Sequence, residues 1–302
     1  MKYIEKTEIE KKREEFILKE NTLIQKAVYM FSVQQQRILE YMLSHVRPND
    51  QRGNEYSFRA LDFLHVAGMS DRSGYYSYQM LENDIVKIYE TSWWEYGVKA
   101  NGRMVKRRVR WLDKFEVSED GIITFKFSED TEKYLLGVRS KFTTYQLENV
   151  LSFKSRYTIR LYELMKSYER LREKGSREAI VIIPLDKLKI LLEVTIPQST
   201  YQEGAEAIEQ NGNGMQIVEK ELYPRYFDFR KNVLEKSVEE ICDIANDINV
   251  SFREIRTGKT VREIEFTIWS KIPRTQEDRE TTERRNKRIR KHDSQHNGIL
   301  NE

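Results

Sequence analysis

Residues 224–270 read PRYFDFRKNVLEKSVEEICDIANDINVSFREIRTGKTVREIEFTIWS, and their pattern decides the fold. At 3.6 residues per turn, Tyr226, Phe229, Val233, Ile241 and Ile244 fall within one arc of about 120°. Arg225, Asp228, Lys231, Asn232 and Glu235 take the opposite side. The spacing predicts one long helix over 224–245, with Pro224 at a tolerated first-turn position. The period then drops to two. Segments 249–256 and 260–270 alternate, and Thr257-Gly258-Lys259 between them reads as a hairpin turn.

The same plan extends upstream. Residues 155–172, SRYTIRLYELMKSYERLR, predict an amphipathic helix carrying Ile159, Tyr162, Leu164, Met165 and Tyr168. A strand at 179–183, a helix at 185–192 and a polar, Gly-rich loop from 197 to 214 follow. The first half repeats this order. Helices are expected at 33–46, 59–67 and about 74–90, with a short strand at 56–58. Strands at 105–117, broken by Asp113, and at 122–127 then meet through Ser118-Glu119-Asp120-Gly121. Helix, short strand, helix, helix, hairpin is the order of a winged helix, whose third helix and hairpin normally meet DNA. The expected class is α+β, with two tandem winged-helix domains, helix-rich with small antiparallel hairpins. A charged lead (1–20) precedes an N-terminal domain (21–140), a C-terminal domain (141–272) and a disordered basic tail (273–302) with few apolar residues to bury.

Composition agrees with a folded chain. Of 302 residues 39% are hydrophobic, and 52 Lys+Arg against 49 Asp+Glu leave a net charge of +3. No run approaches the roughly 20 apolar residues of a membrane span. The first twenty residues, with six Lys/Arg and six Glu, do not read as a signal peptide, so a cytoplasmic protein is expected. A single cysteine, Cys242, rules out an internal disulfide. The near-neutral total hides basic clusters: seven Lys/Arg against Asp113 alone over 99–114, eight against three Glu over 139–172, and six in RRNKRIRK at 284–291. Ordinary solvated surface explains any one of them. Three together point to a polyanion.

Enzyme signatures are missing. Gly258-Lys259-Thr260 ends like a P-loop, but Arg253 stands where its first glycine belongs, and the segment reads as a hairpin. The histidines, at 45, 65, 292 and 296, include no His-x-His pair for nicking chemistry, and His45 and His65 sit in apolar helical patterns. Glu239-Glu240 lies on a helix with exposed neighbours, where a solvated face explains it better than an acid–base pair. Neither a catalytic residue, nor a metal, nor a cofactor is expected.

The candidate site is therefore a surface. On the 224–245 helix, Arg225, Asp228, Lys231 and Asn232 are the residue types that read base edges, although an ordinary surface helix would show the same split. Arg253, Arg256, Lys259 and Arg262 on the following hairpin would make a basic wing along phosphates. In the first unit the corresponding candidates are Arg72, Tyr76, Asn83 and Lys87 on the helix, with Gln79 between them. Lys106, Arg107 and Arg108 are its hairpin candidates. Tyr75, Tyr76, Tyr78, Trp93, Trp94 and Trp111 suit either base stacking or, more simply, core and subunit packing.

Several segments resemble a known family. They are FTTYQL at 142–147, SRYTIRLYEL at 155–164, Asn21-x-Leu23-Ile24, and Tyr226-x-x-Phe229-x-x-x-Val233-Leu234 followed by Glu240-Ile241. Together they are similar to the initiator replication proteins of theta-replicating, iteron-containing plasmids, the Rep_3 family, over about residues 21–270. The segment at 155–164 is the most specific of them. The resemblance implies a C-terminal unit that reads directly repeated origin sites, and an N-terminal unit that dimerises and contacts DNA in the monomer. It further implies opening of an AT-rich segment, recruitment of the host initiator and helicase, and repression of the protein's own gene by the dimer. On it, Arg225, Asp228, Lys231 and Asn232 become base readers. A winged-helix transcription regulator without replication activity remains the alternative.

Overall fold

The computed structural model describes residues 6–69, 74–98, 104–138, 140–172, 176, 178–199 and 217–271. The first unit opens with α1 (Lys6–Arg13), β1 (Phe16–Glu20) and α2 (Asn21–Lys26). Next come α3 (Val33–Leu43), β2 (Tyr56–Arg59), α4 (Ala60–Val66) and α5 (Gly74–Glu90). Four strands follow: β3 (Ser92–Val98), β4 (Met104–Arg110), β5 (Leu112–Val117) and β6 (Ile122–Phe127), then a single turn, α6 (Glu129–Glu132). A capping box starts α3: the Ser32 hydroxyl accepts from the Gln35 N–H, and the Gln35 amide oxygen accepts from the Ser32 N–H.

Next come β7 (Phe142–Gln146), α7 (Leu147–Ser152) and α8 (Arg156–Tyr168), continued by a 3-10 turn at Glu169–Leu171. The second unit adds β8 (Glu178–Pro184), α9 (Leu185–Leu191), β9 (Thr195–Ser199) and β10 (Ile217–Glu221). One unbroken helix then runs from Tyr226 to Ile244: α10 (Tyr226–Phe229), a π-helical turn (Arg230–Glu235) and α11 (Lys236–Ile244). A hairpin of β11 (Ile248–Thr257) and β12 (Thr260–Ser270) closes it. The two halves share a sheet plan. In each, a strand between two helices (β2 between α3 and α4, β8 between α8 and α9) bonds to the last strand of the hairpin, giving the orders β2-β6-β5 and β8-β12-β11. These are two winged helices in tandem.

Both hairpins are fixed by burial of alternate residues. Ile123, Phe125 and Phe127 of β6 and Ile264, Phe266 and Ile268 of β12 are buried, each side chain contributing about 1.5–3 kcal/mol. Truncating Phe125 or Phe266 to alanine would cost about 3–5 kcal/mol. The two units share α8, where every residue from Thr158 to Ser167 is buried, because α2, α3 and β7 pack on it along with α11. An amphipathic helix with one wet side was expected here. Instead its polar stripe meets other polar groups.

Other expectations need correction. Residues 6–20, read as a charged lead, fold: β1 pairs antiparallel with β7, and Ile17 and Lys19 are buried. The strand expected over 105–117 with a break at Asp113 is two strands that part at Trp111 instead, whose indole is fully buried. The first half, β4, pairs with β3, a strand the sequence reading missed, while β5 pairs with β6. Trp93 and Trp111 are core residues in contact with one another. Part of the expected 197–214 loop is strand, because β9 pairs with β10; residues 200–216 lie outside the described residues. So does the expected tail, from 273 onward.

Candidate nucleic-acid interface

The 226–244 helix is the third helix of the second unit. Its back is held by Phe229, Val233, Leu234, Ser237 and Ile241, all buried. Its front is open. The Arg225 side chain, at the N-cap, is 80% exposed, Lys231 is exposed, and Asn232 is half-buried. Arg225 Nε donates to Asp228 at 2.6 Å, so two of the expected base readers already hold each other. Asn232 Nδ2 donates to the Asp228 carbonyl and its Oδ1 accepts from Lys236. Lys231 has no carboxylate partner among the described residues; its ammonium lies 6.0 Å from the ring centroid of Phe227. Phe227 was not among the expected readers. The signal was in the sequence: a phenylalanine on the polar side of the helical wheel.

Helix and hairpin are clipped together by Glu254. It accepts from Tyr226 Oη at 2.9 Å, lies 3.3 Å from Arg230 Nη1, and is paired with Arg256. Burial opposes ionisation of that carboxyl, but the bonds from Arg256 and Tyr226 hold it below the usual range. Arg253 is engaged more rigidly, donating from Nε and Nη2 to both oxygens of Glu265 at 2.6 Å, a bidentate pair across the β11–β12 register. Two of the four expected wing cations are thus compensated within the protein, because Glu254 and Glu265 stand beside them. Lys259 and Arg262 are exposed with no carboxylate partner among the described residues. Arg230, exposed on the helix and paired with Glu235 and Glu254, was missed.

In the first unit, Asn83 and Lys87 are exposed on α5, and Lys87 pairs with Glu90 at 3.0 Å. Gln79 is exposed beside them. Arg72 lies outside the described residues, as do the side chains of Tyr76 and Lys106. Arg107 and Arg108 are exposed on the β3–β4 hairpin, not on the β5–β6 wing as expected, and Arg107 pairs with Asp130 at 3.2 Å. The true wing is largely neutralised: Lys114 reaches Glu55 at 2.7 Å and Lys126 reaches Asp113 at 3.1 Å.

His45 packs against Tyr41 and Phe58, and burial lowers its pKa to about 4. No group of three His, Cys, Asp or Glu side chains among the described residues is placed to hold a metal ion, and no described helix is long and apolar enough to cross a membrane.

Tandem winged helices, with an exposed cationic front on the last third helix and free cations on its wing, define a nucleic-acid-binding class of protein. Residues 16–166 match the family model described as Initiator Replication protein, WH1, and residues 213–268 match Initiator Rep protein, WH2. The chain belongs to this family of replication initiators. It is 31% identical over 158 residues to the PI protein of Escherichia coli, a match that takes in 51% of this chain and 43% of that protein. The chain therefore matches less than half the length of that curated relative. A solved structure of Pi initiator protein in complex with iteron DNA has the same fold, with a TM-score of 0.63 and 19% identity over 85% of this chain and 98% of the other.

Proposed function

We propose that this protein initiates plasmid replication by binding repeated double-stranded origin sequences. The observation that carries the reading is the open front of the 226–244 helix, with Arg225 and Lys231 outward and the adjoining wing presenting Lys259 and Arg262. Arg225, Asp228, Lys231 and Asn232 would read base edges, while Arg253, Arg256, Lys259 and Arg262 track phosphates. The bound DNA of the solved Pi initiator complex supports the same partner here.

The second domain (141–272) takes the repeats. The first (21–140) dimerises and contacts DNA through α5 and the β3–β4 hairpin, using Arg72, Tyr76, Asn83, Lys87, Lys106, Arg107 and Arg108. The protein needs no bond-breaking step of its own, because several bound copies and the bending of the site provide the free energy to open an AT-rich segment. Host initiator and helicase are then recruited in the cytoplasm, and the dimer represses the protein's own gene. The test is a plasmid that carries the origin and no initiator gene, with this protein supplied in trans. Maintenance of the plasmid is expected. Specific binding to the repeats without replication would instead make the protein a transcription regulator.

A further inference from the structure

We infer that Phe227 is a specificity-determining residue whose ring takes the C5-methyl group of a thymine in the major groove. The inference rests on the reading of the 226–244 helix as the one that enters the groove. Phe227 is the most exposed large apolar side chain among the described residues, at 66%. A lone apolar residue on a surface is ordinary; the placement of this one is not. Its neighbours cannot turn. Tyr226 is tethered to Glu254, and Phe229, two residues on, is fully buried. The first turn is therefore fixed in rotation, with Phe227 facing out.

The π turn decides which face that is. In an unbroken α-helix Phe227 and Leu234, seven residues apart, would share a side. Here the extra residue in the turn at Arg230–Glu235 rotates the remainder of the helix, so Leu234 is buried while Phe227 stays outside. Such turns recur at functional sites. The Lys231 ammonium lies 6.0 Å from the centroid of the ring. An apolar spot beside an ammonium that has no carboxylate partner among the described residues suits a groove wall better than an apolar protein surface, which would bury that charge uncompensated. A phenylalanine makes no base hydrogen bond. In the major groove only thymine offers an apolar group, its methyl.

The experiment begins by selecting duplexes from a random-sequence pool with the full-length protein. Each thymine of the selected site is then replaced singly by uracil, which removes only the methyl, and Kd is measured at fixed salt for wild type, Phe227→Ala and Phe227→Leu. Burial of one methyl predicts about a 3- to 5-fold loss for wild type at one thymine. Phe227→Ala should lose affinity for the thymine site and show no further loss with uracil there. Phe227→Leu, which keeps an apolar side chain, should retain part of the preference. A uracil scan with no position coupled to residue 227 overturns the assignment while leaving DNA recognition intact. If the selection yields no preferred sequence, the reading of the helix as a base reader fails instead.

Discussion

The Glu193 carboxyl lies 3.7 Å from Nε of Arg160, so a residue just past α9 in the second unit faces a guanidinium on the helix that both units share. Glu193 sits at φ 60°, in the left-handed region. It ends α9 as a Schellman cap: the Val194 N–H donates to the Lys189 carbonyl and the Glu193 N–H to that of Ile190. Glycine is the usual residue at that position. A glutamate accepts the backbone cost, and its side chain reaches Arg160 and, at 3.9 Å, Arg156.

That carboxylate makes stability depend on pH. Burial pushes the Glu193 pKa up to about 8, even with Arg160 and Arg156 nearby. The unfolded chain releases the proton near 4.5, so between the two values the folded protein binds one proton more, and stability falls as pH rises. Glu40, also raised by burial, acts in the same direction, whereas His45 acts oppositely but only below about 6.5. Glu193→Gln should therefore flatten the decline in stability from pH 6.5 towards 8, by up to about 1.4 kcal/mol per pH unit. Urea titrations of both proteins measure it, and parallel curves would remove Glu193 as the cause.

Lys19 holds the other end of the same network. Its ammonium is buried between Glu40 and Glu163, the latter at 2.5 Å, and Tyr145 Oη donates to Glu163 at 2.6 Å while lying 2.9 Å from Glu40 Oε2. Burial opposes ionisation of Glu163, but Lys19 and Arg160 outweigh it and hold that carboxyl well below its usual range. Lys19→Met leaves two buried carboxylates with one cation, a loss of about 3–5 kcal/mol. Adding Glu40→Gln should recover part of it, because the remaining Glu163 keeps Arg160 at 2.7 Å. Additive losses in the double variant would show that the three groups do not act as a unit.

These buried ions also mark where the sequence stops being readable. The helices and hairpins announce themselves through period, and the front of the 226–244 helix follows from its polar arc. The same period assigns Arg160, Glu163 and Lys166 to water, because nothing local tells a solvated stripe from one covered by β1 and β7. Lys19 lies in a stretch of mostly charged residues whose strand partner, Thr143, is distant along the chain. The ion pairs of the wing depend on register. Arg253 faces Glu265 only because of where the turn at Gly258 sets the pairing. Leu234 and Phe227 exchange roles through a π turn that no wheel drawn at constant pitch contains.

Gly121 joins the first unit's wing to its third helix. It has φ +77°, and a Cβ there would stand 3.0 Å from Cε1 of Tyr78 on α5. Gly258, in the second wing, has φ +60° with nothing within 4 Å. Alanine at Gly258 should lose only the backbone cost of about 1–2 kcal/mol. At Gly121 it must also displace the Tyr78 ring, so the loss should be larger. Thermal melts of the two single variants make the comparison. Equal losses would mean that Tyr78 yields freely and that the wing does not position α5.

The wing of the second unit separates free cations from compensated ones. Lys259 and Arg262 have no carboxylate partner among the described residues, whereas Arg253 is held by both oxygens of Glu265. A cation that neutralises a phosphate releases a counterion, so Lys259→Ala and Arg262→Ala should each reduce the slope of log K against log salt by about 1. Arg253→Met removes a charge already balanced by Glu265, and its effect on the slope should be smaller. Glu265→Gln frees Arg253 and should steepen the slope. Filter-binding titrations from low to moderate salt on one duplex give all four values. If Arg253→Met lowers the slope as much as Arg262→Ala, the Arg253–Glu265 pair opens on binding, and the guanidinium exchanges its carboxylate for a phosphate.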